Sequence, residues 1–308
     1  METRFLQTLL TVVETGSLTQ TARLLNVTPS AVVQRIKALE DEIGSPLIQR
    51  SGNAMGPTAA CAAILADARL VVSAAGDIKA AASGPLDVGL LRIGVIHTVL
   101  SGLLPDILLA LKRDRPRIEL YILPGTSTDL YPRVLDGTLD AVIAIKPNFN
   151  LPKTLDWLLL RQEPLLVIAP RWTTEHDPVV ILKNEPFIRY DRNHWGGRTV
   201  DQFLRAQRIR PREQYELDSL EAITVLVDRG LGVSLIPDWL PPWPQGVAVR
   251  KIAIADAPFR SIGLLWPKVS RRLPLIRAFA EEVAIAATTK NQAMLRAPAA
   301  KGRPARAI

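Results

Sequence analysis

Residues 16–60 read GSLTQTARLLNVTPSAVVQRIKALEDEIGSPLIQRSGNAMGPTAA, and the stops, caps and apolar positions in this run specify a helix, a tight turn and a second helix. Upstream, Phe5, Leu9, Val12 and Val13 form the apolar stripe of an amphipathic helix that Gly16 ends. Ser17-Leu18-Thr19-Gln20 is a capping-box pattern opening a short helix over about 18–25. Asn26 can take the left-handed conformation that closes it, and Thr28-Pro29 supplies an N-cap and a proline at the first helical position of the next. On that third helix Ile36, Leu39 and Ile43 fall within about 40° of Val32, so this face goes inward. Ser30, Gln34 and Lys37 lie about 140–200° away and project a hydroxyl, an amide and an ammonium together from the other side. That is the helix-turn-helix plan, which seats its second helix in the major groove of DNA. A polar outer face is also what any amphipathic helix shows. Glu40, Asp41 and Glu42 would repel phosphate, which restricts DNA contact to the N-terminal half.

Outward from this run, the 308 residues exceed one typical domain. No uncharged apolar stretch approaches the roughly 18 residues of a membrane span, and Arg4 followed by a stretch that Glu14 interrupts does not make a signal peptide. A single cysteine, Cys61, excludes an intramolecular disulfide and a cysteine-rich zinc site, so the expected compartment is the cytoplasm. The formal charge is +8, but residues 1–60 hold five bases and five acids. Residues 289–308 hold five bases and no acid, and their Ala/Pro-rich composition predicts a flexible basic tail. Its Lys301-Gly302-Arg303-Pro304 is faintly similar to a minor-groove hook, but a plain solubilising tail is the expected reading.

The segment from Phe5 to Ala60 resembles the N-terminal winged helix-turn-helix of LysR-type transcriptional regulators. The matching positions are Gly16, Ser17, Ala22, Leu25, Ser30, Ala31, Val32, Ile36, Leu39, Glu40, Gly44, Pro46, Leu47, Arg50 and Thr58. Departures are Val33 for a frequent serine, Ile48 for the usual phenylalanine before the wing, and Cys61 for a common glycine. The methyls of Val33 could instead meet a thymine methyl. Spacing and resemblance together give Ser17, Thr19, Thr28, Ser30, Val33, Gln34, Lys37 and Arg50 as the expected DNA contacts.

From Thr58 to Ser83 the chain is Ala-rich and proline-free, a helix of roughly 39 Å. Its seam of Cys61, Leu65, Ala68, Val72, Ala75 and Ile78 needs a partner surface, supplied by the helix's own domain or by a second copy. The resemblance implies a second copy.

After Pro85 short apolar strands alternate with helices, which predicts an α/β domain with a mostly parallel sheet. Strands are expected at 88–96, 118–125, 139–145, 158–170, 186–190, 215–217, 231–237 and 261–266, with the strands at 158–170 and 261–266 crossing between two lobes. The segments LLPDILLALKRDRPRIEL, GTLDAVIAI and DSLEAITVLVDRGLGVSLIPD resemble the effector-binding domain of the same family, whose fold is that of type 2 periplasmic binding proteins. The expected organisation is therefore 1–57 for the winged helix-turn-helix, 58–84 for the linker helix, 85–288 for the effector domain and 289–308 for the tail. Within the effector domain, lobe I is expected at 88–160 and 267–288 and lobe II at 161–266. Ligands in open α/β sheets sit at the carboxyl ends of strands, near helix N-termini. His97, Thr98, Thr126, Ser127, Lys146, Arg192, Asn193 and His194 occupy such positions, and their chemistry suits a small carboxylate or a similar polar anion. Thr126 and Ser127 also serve as plain helix caps, His97 as a core or contact residue, and Trp195 as either a ligand stack or an anchor.

No HExxH, GxSxG or phosphate-cradling glycine loop is present, which argues against an enzyme. A transport binding protein would have no use for the head. The remaining alternative is a nucleoid or replication factor without an effector. The resemblance implies promoter DNA, copies of the chain as dimer and tetramer, and RNA polymerase as partners, with no cofactor, metal or catalytic residue.

Overall fold

The computed structural model describes residues 1–52, 54–82 and 89–296. The chain divides into two compact units, one built mainly on residues up to Gly89 and a larger one beginning at Leu90.

In the first unit α1 (Thr3–Thr15), α2 (Leu18–Leu24) and α3 (Pro29–Ile43) are followed by an antiparallel hairpin of β1 (Ile48–Ser51) and β2 (Ala54–Pro57), then by α4 (Ala59–Ala82). Gly16 (φ 65°) and Gly44 (φ 78°) close α1 and α3 in the left-handed region, and Asn26 (φ 53°) makes the bend before α3. Ser17 and Thr28 accept the Gln20 and Ala31 N–H groups as N-caps. Leu6, Leu9, Val12, Val32, Ile36, Leu39 and Leu47 form the core, so the inward face read from the spacing of α3 is the buried one. Of the two partner surfaces open to the linker seam, its own domain takes the first part. Cys61 and Ala68 are buried in this same core, with Leu65 and Val72 packed on it, because α4 lies along α1. Val71 and Ile78 remain exposed, and the expected stop at Ser83-Gly84-Pro85 falls outside the described residues. Burial pushes the Cys61 thiol above its ordinary pKa, so it is an inert packing group.

The second unit runs β3 (Gly89–Ile96), α5 (His97–Gly102), α6 (Leu104–Asp114), β4 (Ile118–Gly125), α7 (Ser127–Leu135), β5 (Ala141–Ile145), β6 (Leu155–Pro170), α8 (Pro178–Asn184), β7 (Pro186–Tyr190), α9 (Trp195–Ala206), β8 (Arg212–Leu217), α10 (Leu220–Asp228), β9 (Ser234–Pro237), β10 (Val249–Ala253), β11 (Phe259–Pro267) and α11 (Leu273–Arg296). β6 is shared between two sheets. Its first part pairs with β11 over Leu155–Pro164, and its second part pairs with β9 and β10 over Leu165–Pro170. The change of lobe thus falls at 164/165 rather than at 160/161. The return falls before Phe259 rather than at 266/267, because β11 pairs with β5 of lobe I. The apolar core of lobe II, from Leu165 to Ile252, respects the same limits.

The expectation of a mostly parallel sheet needs correcting. β3–β5 and β7–β8 are parallel, but β11–β5, β11–β6, β10–β6 and β6–β9 are antiparallel. The reason is connectivity: one crossing strand leaves lobe I and the other returns, so the two run in opposite directions. The tail boundary also moves. α11 continues to Arg296, and Lys290 pairs with Asp106 at 2.7 Å while Asn291 donates to the Leu160 carbonyl at 3.0 Å, so residues 289–296 belong to the folded unit. The basic residues from Lys301 onward lie outside the described residues. Among the described residues no single helix is long and apolar enough to cross a membrane.

Candidate functional site

Two sites take shape, one in each unit. In the first, Ser30, Val33, Gln34 and Lys37 are all exposed on one side of α3, opposite buried Val32, Ile36 and Leu39. Thr28 caps this helix and shares a 3.0 Å hydrogen bond with the Ser30 hydroxyl, so both sit at its N-terminal end. Ser17 caps α2 with exposed Thr19 beside it, and Arg50 is exposed on β1 of the wing. Glu40 has a structural part to play besides its negative charge. Its Oε1 accepts the Leu47 and Ile48 N–H groups at 2.7 and 3.2 Å and so ties the recognition helix to the wing. Thr58 completes the join by donating to the Pro46 carbonyl at 2.7 Å and capping α4.

The second site is a cavity of about 250 Å³ in the larger unit. It lies at the carboxyl ends of β3, β4, β5, β7 and β8, and it collects His97, Thr98, Thr126, Ser127 and His194 from the sequence-derived set. Their hydroxyls are partly committed. Thr126 donates to the Asp129 carboxylate at 2.6 Å and caps α7 by accepting the Asp129 N–H, while buried Ser127 accepts the Ile145 N–H at 3.0 Å. Lys146, Arg192 and Asn193 are not brought to the cavity. Lys146 is exposed just past β5, and Asn193 folds back on Asp191. The Arg192 guanidinium is held by Glu213 and Glu216 of β8, at 2.5 and 2.9 Å.

In their place the fold supplies Tyr190, Trp195 and Arg260. Arg260 is 2% exposed; its Nε and Nη2 donate to Glu163 Oε2 at 2.7 and 2.5 Å, and Nη2 reaches Thr98 Oγ1 at 3.2 Å. The pair lies in register across the two crossing strands, where the lobes meet. Burial raises the Tyr190 hydroxyl pKa although Arg260 stands beside it. Tyr190 also explains Gly196-Gly197. A Cβ on Gly196 would stand 2.6 Å from Tyr190 Cε1, and one on Gly197 would overlap the Asp191 carbonyl. Two glycines therefore let the start of α9 close onto the end of β7.

Comparison with known proteins settles the lineage. The model of the LysR substrate binding domain matches residues 85–287, and that of the bacterial regulatory helix-turn-helix protein, lysR family, matches residues 3–62. The chain belongs to the LysR family of transcriptional regulators. It is 30% identical over 290 residues to the HTH-type transcriptional regulator YnfL of Escherichia coli, covering 91% of this chain and 96% of the relative. It is 26% identical to the HTH-type transcriptional regulator IlvY of the same species, over 91% and 97% of the two chains. Among solved structures, a full-length cysteine-to-aspartate variant of OxyR from Pseudomonas aeruginosa superposes with a TM-score of 0.68 at 26% identity, over 93% of this chain and 94% of that one. The full-length CbnR–DNA complex gives 0.67 at 24% over 93% and 100%, a likeness of fold. The family is one of regulators with an effector-binding domain, not of enzymes.

In this LysR-type regulator the ion pairs around Arg192 fix the loop that leads from Tyr190 to Trp195. Hydrogen bonding from Arg189 and then Arg192 lowers the Glu213 carboxyl pKa, and Arg192 does the same to Glu216. Carboxyls depressed in the folded state contribute stability above their unfolded pKa of about 4.3, and lose it as pH falls through the lowered values. Glu213→Gln is therefore expected to flatten the dependence of the melting temperature on pH below about 4.3, with a smaller difference from wild type in acid than at neutrality. Parallel profiles for the two proteins would refute the linkage.

Proposed function

We propose that this regulator reads promoter DNA with the Ser30–Lys37 side of α3 and the Arg50 wing, and that a small ligand held between lobes I and II controls the outcome. The cavity carries this reading: it lies where strand ends of both lobes converge, and Arg260 is the one guanidinium or ammonium that lines it among the described residues. Arg260, whose charge is shared with Glu163, offers together with Thr98 and the N-terminal end of α7 hydrogen-bond donors for the anionic end of a small carboxylate. Asp218 and Glu221, which also line the cavity, disfavour a second negative charge and favour an amine. A monocarboxylate or an amino acid meets both demands. Exposed Val71 and Ile78 support pairing of α4 between two copies in the cytoplasm, with tetramers presenting two head pairs to DNA and to RNA polymerase. The ligand acts by binding one arrangement of the lobes more tightly than the other.

The test is footprinting on the regulator's own upstream region with and without small monocarboxylates and amino acids. Ser30→Ala and Gln34→Ala are expected to lose about 1–3 kcal/mol of discrimination against random DNA while keeping any ligand-induced change in footprint length. Wild-type discrimination in both variants would reject the groove assignment. A wild-type footprint that no such compound alters in length or bending would reject the effector.

A further inference from the structure

Beside the cavity three rings meet edge to face. Tyr131 on α7, Phe149 on the segment after β5 and Trp195 at the start of α9 have centroids 5.5–5.7 Å apart and interplanar angles of 65–89°. This is the spacing and orientation that the ring quadrupole favours. Tyr131 and Phe149 belong to lobe I and Trp195 to lobe II, so two of the three pairs cross from one lobe to the other. Trp195 is 4% exposed yet stands outside the apolar core of lobe II, and lobe I rings cover it. Phe149 is half-exposed, which places it at the rim and not in a core. The Gly196-Gly197 closure onto Tyr190 and Asp191 holds Trp195 to its own lobe. Any separation of the lobes must therefore uncover Trp195 and break both cross-lobe pairs at once.

We propose that Tyr131 and Phe149 are positioning residues that clasp Trp195 and hold the lobes in the closed arrangement, so that the strength of this aromatic clasp sets how readily the cavity opens. The inference rests on the two-lobe reading above and adds what balances open against closed before any ligand arrives. Each cross-lobe pair contributes a fewfold to tenfold bias toward closure.

Hydrogen exchange on the full-length protein without ligand tests it. Phe149→Ala and Tyr131→Ala are expected to speed exchange across residues 191–199 about tenfold, leaving β3–β5 and the lobe II core strands β7 and β9 unchanged. Tyr131→Phe keeps the ring and is expected to exchange as wild type. Unchanged exchange at 191–199 in both alanine variants overturns the proposal, and so does acceleration spread evenly over lobe II, which would make the rings ordinary core. Pyruvate, alanine and valine are then titrated against the footprint. A wild-type footprint indifferent to all three counts against the effector reading without touching the exchange result, so the two failures are distinguishable.

Discussion

Glu163→Gln is expected to destabilise the effector domain by about 3–5 kcal/mol, because it leaves the Arg260 guanidinium buried without a counter-charge. Arg260 and Glu163 are 2% and 3% exposed, so bulk solvent screens the lost carboxylate only weakly. The damage extends further, since Arg161 Nε also lies 3.6 Å from Glu163 Oε1. Removing both partners of the main pair, as Glu163→Leu with Arg260→Met, is expected to recover most of the stability while losing the polar floor beneath Thr98. Denaturant unfolding of the three proteins measures this. A single variant within about 1 kcal/mol of wild type would mean that the pair is hydrated or dispensable.

Gly197→Ala is the second large effect. The added methyl meets the Asp191 carbonyl, which accepts the His194 N–H at 3.2 Å in a backbone whose Asp191 N–H donates to the Leu217 carbonyl at 2.8 Å, so no side-chain adjustment relieves the overlap. A cost of about 3 kcal/mol is expected, together with displacement of Trp195 from the cavity wall. DNA affinity without ligand should be preserved, because the head folds on a core of its own. The check is a lowered unfolding midpoint for the effector domain beside an unchanged footprint affinity. Equal stability of Gly197→Ala and wild type would show that α9 is free to shift.

The head is legible from sequence because its information is local. Glycine stops, the Ser17 and Thr28 caps and the four-position apolar stripe of α3 each act within one or two turns. The lobes are legible as strands for the same reason, down to β4 at its observed limits. What escapes depends on pairing across long sequence separations. Glu163 and Arg260 lie 97 residues apart and meet only because β6 and β11 cross side by side. Arg192 looks available at a strand end, yet β8 starts at Arg212, earlier than the expected strand at 215–217, and brings Glu213 and Glu216 against it. α8 and β10 are absent from the sequence reading, α8 because its two N-capped turns carry little periodicity, and β10 because it is a short strand that alternates weakly. Glu40 reads as one of three solvent-facing acids, and only the fold shows it turned toward the wing.

The uninterrupted run of β6 through both sheets has a practical corollary for protein engineers. A graft that exchanges ligand specificity with a relative cannot make its first junction in a loop, since 164/165 falls inside the hydrogen-bonded run of β6, whereas the return can be spliced in the loop at 254–258 between β10 and β11. Chimeras must match the ladder register of donor and host on either side of the β6 seam, or they will separate the pocket from the scaffold that gives it meaning.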